Sequence, residues 1–252
     1  MIYFVGAGPG APDLITLRGA ELLKTADAIV FAGSLVNPEI LSLAKDGCEL
    51  YNSARMTLDE IIAVLLRIQR AGGMAVRLHT GDPSVYGAIR EQMDRLSTLD
   101  IPFEICPGVS SFCGGAAALK AEYTLPAVSQ SVIITRIAGK THVPERESIR
   151  SFAAHQATMV IFLSAGLTED LQKELLAGGY EAETPVAIVY KVSWPDEKIV
   201  RCTVGTLSAA ATESSIKNHA LIMVGGFLGS DYELSKLYDP AFTTSFRHGI
   251  KE

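Results

Sequence analysis

The sequence is short of positive charge, and the positive charge that it has is scattered. Its 22 lysines and arginines stand against 28 aspartates and glutamates, which gives a formal net charge of -6. Proteins that bind nucleic acid usually carry a basic patch or stripe, so we expect no nucleic-acid partner. An anionic substrate remains compatible with this charge, because binding depends on the local field in a cleft and not on the total.

Long apolar runs are also missing. Gly, Pro or charged residues interrupt each run well before the ~20 residues that a membrane-spanning helix needs. The first residues, Met1 to Val5, lack the positively charged start of a signal peptide. We therefore expect a cytoplasmic protein without a membrane partner.

Cysteine and histidine are few and far apart. The four cysteines have spacings that fit neither a C-x-x-C pair nor a zinc site, so we expect reduced thiols in a cytosolic protein. His79, His142 and His155 form no metal-ligand spacing either. We interpret each as a surface or a hydrogen-bonded core histidine, and we predict no metal.

What the sequence does contain is an alternation of short apolar runs, Gly/Pro loops and helical stretches. Strands are predicted at residues 2–5, 28–31, 74–78, 103–106, 132–135, 158–163, 186–190, 198–204 and 221–224. Helices are predicted at residues 16–24, 57–71, 85–96, 167–176 and 207–214. Thr16 is a plausible N-cap, and Thr57 with Glu60 matches a capping box.

This alternation predicts an α/β protein of two α/β domains. Residues 1–118 are expected to form an N-terminal domain with a mostly parallel sheet, because its strands alternate with crossover helices. Residues 119–252 are expected to form a C-terminal domain with a mixed sheet. The polar and apolar alternation at residues 198–204 is typical of an antiparallel strand at a hairpin.

Three loops that follow predicted strands carry the chemistry. The first is Gly6-Ala7-Gly8-Pro9-Gly10, a turn that fits a phosphate or a cofactor but matches neither a dinucleotide fingerprint nor a Walker loop. A purely structural turn is the alternative. Together with the loops after two further strands, this turn is predicted to line one edge of the parallel sheet as a cleft.

The second loop is His79-Thr80-Gly81-Asp82-Pro83-Ser84, where ligands of open α/β sheets bind. Asp82 either caps the following helix or binds an amine or hydroxyl of a ligand. The third loop, Pro107-Gly108-Val109-Ser110-Ser111, offers two serines as helix caps or as pocket hydroxyls. No His and Asp partners are placed to make either serine a nucleophile.

These motifs resemble the tetrapyrrole methylase family. The first glycine loop with Thr16-Leu17-Arg18-Gly19, then Gly81-Asp82-Pro83, then the third loop follow the order and spacing of that family, and the similarity covers nearly the whole chain. Ala32 to Val36, His79 to Ser84 and Thr135 to Thr141 resemble the members that methylate carbon 11 of a corrin precursor.

The resemblance implies a methyltransferase that forms a homodimer and holds S-adenosylmethionine in a cleft between its two domains, releasing S-adenosylhomocysteine. The implied cofactor contacts are Pro9, Thr80, Gly81, Asp82, Val85, Ser110, Ser111, Leu163, Tyr190, Lys191, Ala220 and Leu221. At Leu163 and Lys191 relatives differ in side chain, so backbone contact is expected there.

An anionic tetrapyrrole with many carboxylates would need positive partners. Our candidates for substrate binding are Arg55, Arg136, Lys140 and His142, with solvated loop charges as the alternative. No residue stands out as a catalytic base. Two other functions stay open: methylation of a different tetrapyrrole position or of uroporphyrinogen III, and a non-catalytic cofactor-binding regulatory domain.

Overall fold

The computed structural model describes residues 1–250, which form two compact units. The first unit comprises Met1–Ala118 together with Lys191–Lys198. The second unit comprises Leu119–Tyr190 and the chain from Ile199 onward. A short piece of the chain, between two segments of the second unit, thus belongs to the first.

The first unit contains a five-stranded parallel sheet. Its strands are β1 (Ile2–Gly6), β2 (Ala28–Phe31), β3 (Glu49–Asn52), β4 (Ala75–His79) and β5 (Phe103–Cys106). The strand order is β3-β2-β4-β1-β5, and all four pairings are parallel. The prediction of a parallel sheet in this half is confirmed, although β3 was not predicted because its residues alternate between half-buried and exposed.

Four helices accompany this sheet. They are α1 (Leu17–Thr25), α2 (Leu58–Arg70), α3 (Arg90–Thr98) and α4 (Ser111–Leu119). Thr16 accepts a hydrogen bond from the Gly19 amide, and Thr57 with Glu60 forms a capping box, so both predicted helix starts are confirmed. These bonds satisfy amides that have no acceptor within the first turn of a helix.

Successive residues of β4 face opposite sides of the sheet, as the strand period requires. Ala75 joins an apolar cluster with Phe4 and Leu65, whereas Val76 joins another with Val5. Both faces are therefore covered, which explains why the strands are continuous apolar runs.

The prediction of a helix at residues 85–96 is wrong at its start. Tyr86 and Ala88 have left-handed backbone angles, with φ of 55° and 49°, so no helix forms there. A side chain at Gly87 would lie 2.1 Å from the Pro83 carbonyl oxygen, which shows how tightly this segment turns. The helix begins only at Arg90.

The second unit contains a mixed sheet, as predicted. Its strands are β6 (Val132–Arg136), β7 (Thr158–Phe162), β8 (Pro185–Tyr190), β9 (Lys198–Thr203) and β10 (Ala220–Val224). The order is β6-β7-β10-β8-β9; β6 and β7 are parallel, while β10 is antiparallel to both β7 and β8. The helices are α5 (Ile149–Ala153), α6 (Thr168–Ala177) and α7 (Leu207–Glu213).

A helix that spans a bilayer must be both long and apolar, and the helices of residues 1–250 can be judged on both properties. None of them is both long enough and apolar enough to span one.

Candidate functional site

The three loops identified in the sequence follow three neighbouring strands. Because β1 lies between β4 and β5, the loops after these strands leave the same edge of the parallel sheet. The first two loops are joined directly: the Gly81 amide donates to the Gly8 carbonyl at 2.8 Å, and the Gly8 amide donates to the Gly81 carbonyl at 3.3 Å. This pair of bonds fixes one loop against the other.

Asp82 joins the second loop to the third. Its Oδ2 accepts a hydrogen bond from the Gly108 amide at 2.9 Å. Its Oδ1 accepts bonds from the Ser84 amide, at 2.8 Å, and from the Ser84 hydroxyl. The alternative in which Asp82 caps a helix is wrong, because α3 begins only at Arg90.

These hydrogen bonds also keep Asp82 ionised. Burial alone raises the pKa of its carboxyl, but the bonds from the Ser84 side chain, the Gly108 amide and the Ser84 amide outweigh burial and hold the pKa below its ordinary value. A carboxylate has about four lone-pair sites. With three donors in place, the half-buried Asp82 side chain can accept one further hydrogen bond.

Three glycines allow the loops to approach this closely. A Cβ at Gly108 would lie 2.2 Å from the Gly81 carbonyl oxygen, and a Cβ at Gly6 would lie 2.6 Å from the Gly108 Cα. Gly81 has a φ of +60°, and its own Cβ would lie 3.5 Å from the Ser110 Cα. The structure therefore brings Gly81, Asp82 and Ser110 together, as the sequence predicts.

The two serines of the third loop lie at the start of α4. The Cys113 and Gly114 amides donate to the Ser110 carbonyl, at 3.0 and 3.2 Å, so buried Ser110 precedes the first turn. The amides of a first helical turn have no acceptor within the helix and carry partial positive charge. They can bind a carboxylate such as that of an amino acid.

The other predicted contacts in the first unit are Pro9, Thr80, Val85 and Lys191. Pro9 is buried, and its Cβ would lie 2.9 Å from a Cβ at Gly114 of α4. Half-buried Thr80 lies between β4 and Gly81, and the Val85 amide donates to the Asp82 carbonyl at 3.2 Å. Lys191 also belongs to this unit, and its backbone is left-handed with a φ of 45°.

The remaining predicted cofactor contacts lie together in the second unit. Ala220 pairs with Tyr190, and Leu221 with Val189, across β10 and β8. The register that pairs β10 with β7 places Ala220 level with Leu163, just past the end of β7. Leu163 is 62% exposed and has a φ of 53°, a strained backbone of the kind that functional sites retain.

Three of the four candidate substrate-binding residues lie close together in sequence: Arg136 is the last residue of β6, and Lys140 and His142 lie on the loop that follows it. The guanidinium of half-buried Arg136 donates to the carbonyls of Thr141, at 3.3 Å, and His142, at 2.8 Å, and so shapes this loop. Lys140 and His142 are exposed. Arg55 is exposed too, and it ends a short 3-10 helix in the first unit.

His79, beside Thr80, is a buried histidine of unusual kind. Within residues 1–250, its Nε2 has no hydrogen-bond partner, so it differs from the hydrogen-bonded core histidine that we expected. Burial, with a smaller contribution from the nearby Arg77 charge, lowers the pKa of His79 to about 3. The imidazole is therefore neutral at physiological pH.

Sequence reasoning missed two residues that hold the first loop. The Asn37 side chain donates to the Gly10 carbonyl at 3.0 Å, and the Ser193 hydroxyl accepts from the Ala11 amide at 2.9 Å. Both lie far from the loop in sequence, and no local pattern signals either contact. In the described part of the chain, no three His, Cys, Asp or Glu side chains are grouped so as to hold a metal ion.

Comparison with known proteins places this arrangement in a family. The model of the "Tetrapyrrole (Corrin/Porphyrin) Methylases" matches residues 1–208. The chain is 51% identical, over all of its length and 97% of the relative's, to the cobalt-precorrin-4 C(11)-methyltransferase of Methanocaldococcus jannaschii.

Solved structures agree with this comparison. That of a cobalt precorrin-4 methyltransferase is 45% identical with a TM-score of 0.89, over 91% of this chain and 96% of the other. A uroporphyrin-III C-methyltransferase from Thermus thermophilus, solved with S-adenosylhomocysteine, is 29% identical with a TM-score of 0.74, over 90% and 92% of the two chains. The chain therefore belongs to the tetrapyrrole (corrin/porphyrin) methylases, and it is a methyltransferase.

Proposed function

We propose that this enzyme transfers a methyl group from S-adenosylmethionine to carbon 11 of precorrin-4, giving precorrin-5 in the biosynthesis of cobalamin. The substrate and the carbon are suggested by the names of relatives as similar as 51% over the whole chain. The donor is suggested by a related structure that contains S-adenosylhomocysteine. The observation in this chain that carries the proposal is the junction of three loops at Asp82, Gly81 and Gly108.

The residues of this junction fit the donor chemically. S-adenosylmethionine has an α-carboxylate, an α-ammonium group and a positively charged sulfur. The first-turn amides of α4 suit the carboxylate. The ionised Asp82, which can accept one more hydrogen bond, suits a positive group. Gly81 lacks a side chain where its backbone would meet a ligand, so a close approach is allowed.

When bound, S-adenosylmethionine supplies a methyl group that is activated by a positively charged sulfur. The task of the protein is then alignment, which contributes more when the groups that orient the donor are themselves held in place. The bonds between Gly8 and Gly81, and between Asp82 and Gly108, provide that rigidity. The leaving thioether is neutral, so no side chain has to protonate it.

We further propose that the loop after β6 binds carboxylates of the tetrapyrrole. Arg136 gives this loop its shape, and exposed Lys140 and His142 lie on it. Arg55, in the first unit, is proposed as a separate carboxylate partner. Arginine suits this role because its planar guanidinium binds a carboxylate through two parallel hydrogen bonds.

The function is tested by product analysis. The purified chain is incubated with S-adenosylmethionine carrying a ¹³C-methyl group and with enzymatically made precorrin-4, with or without cobalt, and NMR locates the new methyl. We expect a single labelled methyl at carbon 11. A methyl at another carbon, or turnover of uroporphyrinogen III alone, would assign the chain to a different reaction of the family. Donor binding without any turnover would instead indicate a regulatory domain.

A further inference from the structure

The segment Lys191–Lys198, which we name the strap, has an unusual position in the chain. Strand β8 ends just before it and strand β9 begins at its last residue, and these strands are neighbours in the sheet of the second unit. Hairpin neighbours are usually joined by a loop of about two to five residues. The strap is longer, and it packs as part of the first unit.

The strap is held in one conformation by its own contacts. Lys191 forms an ion pair with Asp196 at 2.7 Å, and the Ser193 amide donates to the Glu197 carboxylate at 2.6 Å. The backbones of Lys191 and Ser193 are both left-handed, with φ of 45° and 62°. Strain of this kind persists only where the surrounding structure imposes it, and it is concentrated at functional sites.

The strap and Asn37 together hydrogen-bond one peptide group at the end of the first glycine loop. The Ala11 amide donates to the Ser193 hydroxyl, and the Gly10 carbonyl accepts from the buried Asn37 side chain. These two atoms belong to the same peptide plane, so both of its polar ends are occupied. Pro9, a proposed donor contact, directly precedes this plane.

Trp194 packs against Gly10, which belongs to the same peptide group. A Cβ at Gly10 would lie 2.2 Å from the Trp194 Cδ1 and 2.6 Å from the Val192 carbonyl oxygen, so the strap lies directly on the glycine backbone. The Lys191 Nζ is 5.0 Å from the centre of the indole ring, within cation–π range. The indole is thus fixed between a backbone and a charge.

We propose that the strap is a positioning element of the donor site, in which Ser193 and Trp194 set the Gly10–Ala11 peptide and, through it, the loop that carries Pro9 and Gly8. This inference rests on the proposed function, since it assigns the strap a role in binding S-adenosylmethionine. Gly8 is bonded to Gly81, so a displaced first loop would also disturb the second.

The test is the affinity for S-adenosylhomocysteine, measured by calorimetry, in the Ser193→Gly variant. Glycine accepts the left-handed backbone at no steric cost, so the variant removes the hydroxyl without adding strain. We expect the dissociation constant to rise about three- to tenfold, as for one lost hydrogen bond. The KM for S-adenosylmethionine should rise in parallel while kcat stays within about twofold, a split that general destabilisation would not produce.

A matched control is Ser215→Gly. Ser215 is also a serine with a left-handed backbone, at φ 57°, but it is exposed in the second unit. The Ser215→Gly variant should bind S-adenosylhomocysteine with the affinity of the wild type. If Ser193→Gly binds like the wild type, or if Ser215→Gly weakens binding equally, the strap has no positioning role. If the wild-type chain itself does not bind S-adenosylhomocysteine, the proposed function fails together with the strap.

Tryptophan fluorescence supplies a second measurement that needs no variant. Trp194 is the single tryptophan of the chain, so its emission reports on the strap alone. We expect the emission to change during titration with S-adenosylhomocysteine, with the same midpoint as calorimetry. Emission that stays constant up to saturation would overturn the inference even if Ser193→Gly does not fold.

Discussion

The Asp82 carboxylate accepts a hydrogen bond from the Gly108 amide at 2.9 Å, across 26 residues of sequence. Through this bond, one side chain determines the distance between the loops that follow β4 and β5. The same carboxylate closes a turn with Ser84. Asp82 therefore supports the proposed donor site even before it contacts a ligand.

Asp82→Asn should weaken the binding of S-adenosylhomocysteine by about tenfold or more, because hydrogen bonds to a charged group are worth about 1.5–3 kcal/mol. The asparagine side chain has one oxygen in place of two. Its NH₂ group would therefore face either the Ser84 amide or the Gly108 amide, and that hydrogen bond would be lost. Calorimetry measures the effect. Ser84→Ala, which leaves the bond to Gly108 in place, should cost less affinity. An Asn variant with wild-type affinity would contradict this role of Asp82.

Gly108→Ala should destabilise the fold through steric overlap alone. The new Cβ would lie 2.2 Å from the Gly81 carbonyl oxygen, and overpacking of this kind costs about 3 kcal/mol in free energy of unfolding. Gly47→Ala is the control: its φ of +79° strains an alanine by about 1 kcal/mol, but no atom lies within 4 Å of the new methyl. Urea unfolding compares the two, and equal losses would rule out the proposed close contact.

His79 should make the fold less stable as the pH falls. Its pKa is about 3 in the folded chain against 6.5 for the free side chain, so below pH 6.5 the unfolded chain takes up a proton that the folded chain does not. The free energy of unfolding should therefore decrease by up to about 1.4 kcal/mol per pH unit from this residue, from pH 6.5 down to pH 3. Above pH 6.5 the effect disappears.

The His79→Phe variant isolates this contribution. The imidazole stacks on Phe4 and its Nε2 has no partner in the described chain, so phenylalanine removes the titration without removing a bond from that nitrogen. Urea unfolding of both proteins at pH 7.5 and pH 5 gives the comparison. The wild type should lose about 2 kcal/mol more than the variant between these values. Parallel losses would mean that His79 is protonated in the folded chain.

Arg136→Ala should impair binding of the tetrapyrrole and leave binding of the donor intact. Without the Arg136 guanidinium, the loop after β6 loses hydrogen bonds to three of its carbonyls, and a neighbouring positive charge is removed. We expect the KM for the tetrapyrrole to rise about tenfold, while exposed Lys140→Ala changes it by only about two- to threefold. Steady-state kinetics and calorimetry with S-adenosylhomocysteine separate the two effects. An unchanged KM for the tetrapyrrole would leave Arg136 with a structural role only.

The strands and helices with strong periodicity were predictable from sequence. The apolar runs that became β2 and β5 have the predicted bounds, and the capping box of Thr57 and Glu60 marks the start of α2. The start of α3 was not predictable, because residues 85–89 have a helical pattern of apolar side chains. Their left-handed backbone at Tyr86 and Ala88 depends on tertiary packing.

The site was predictable only in part, for a related reason. Its loops follow strands, and parallel strands end at one edge, so their proximity follows from the fold. The contacts of Asn37 with Gly10 and of Ser193 with Ala11 join residues far apart in sequence. Such contacts depend on packing and leave no local pattern. The resemblance to a family located the proposed donor contacts, but it did not indicate which residues hold the contact loops in place.

The most direct test of the account is a crystal structure of this chain with S-adenosylhomocysteine. We expect the ligand to contact Gly81, Asp82 and the first turn of α4, with its carboxylate on the amides of that turn and the Asp82–Gly108 bond intact. A ligand bound without contact to any of the three loops would contradict the account.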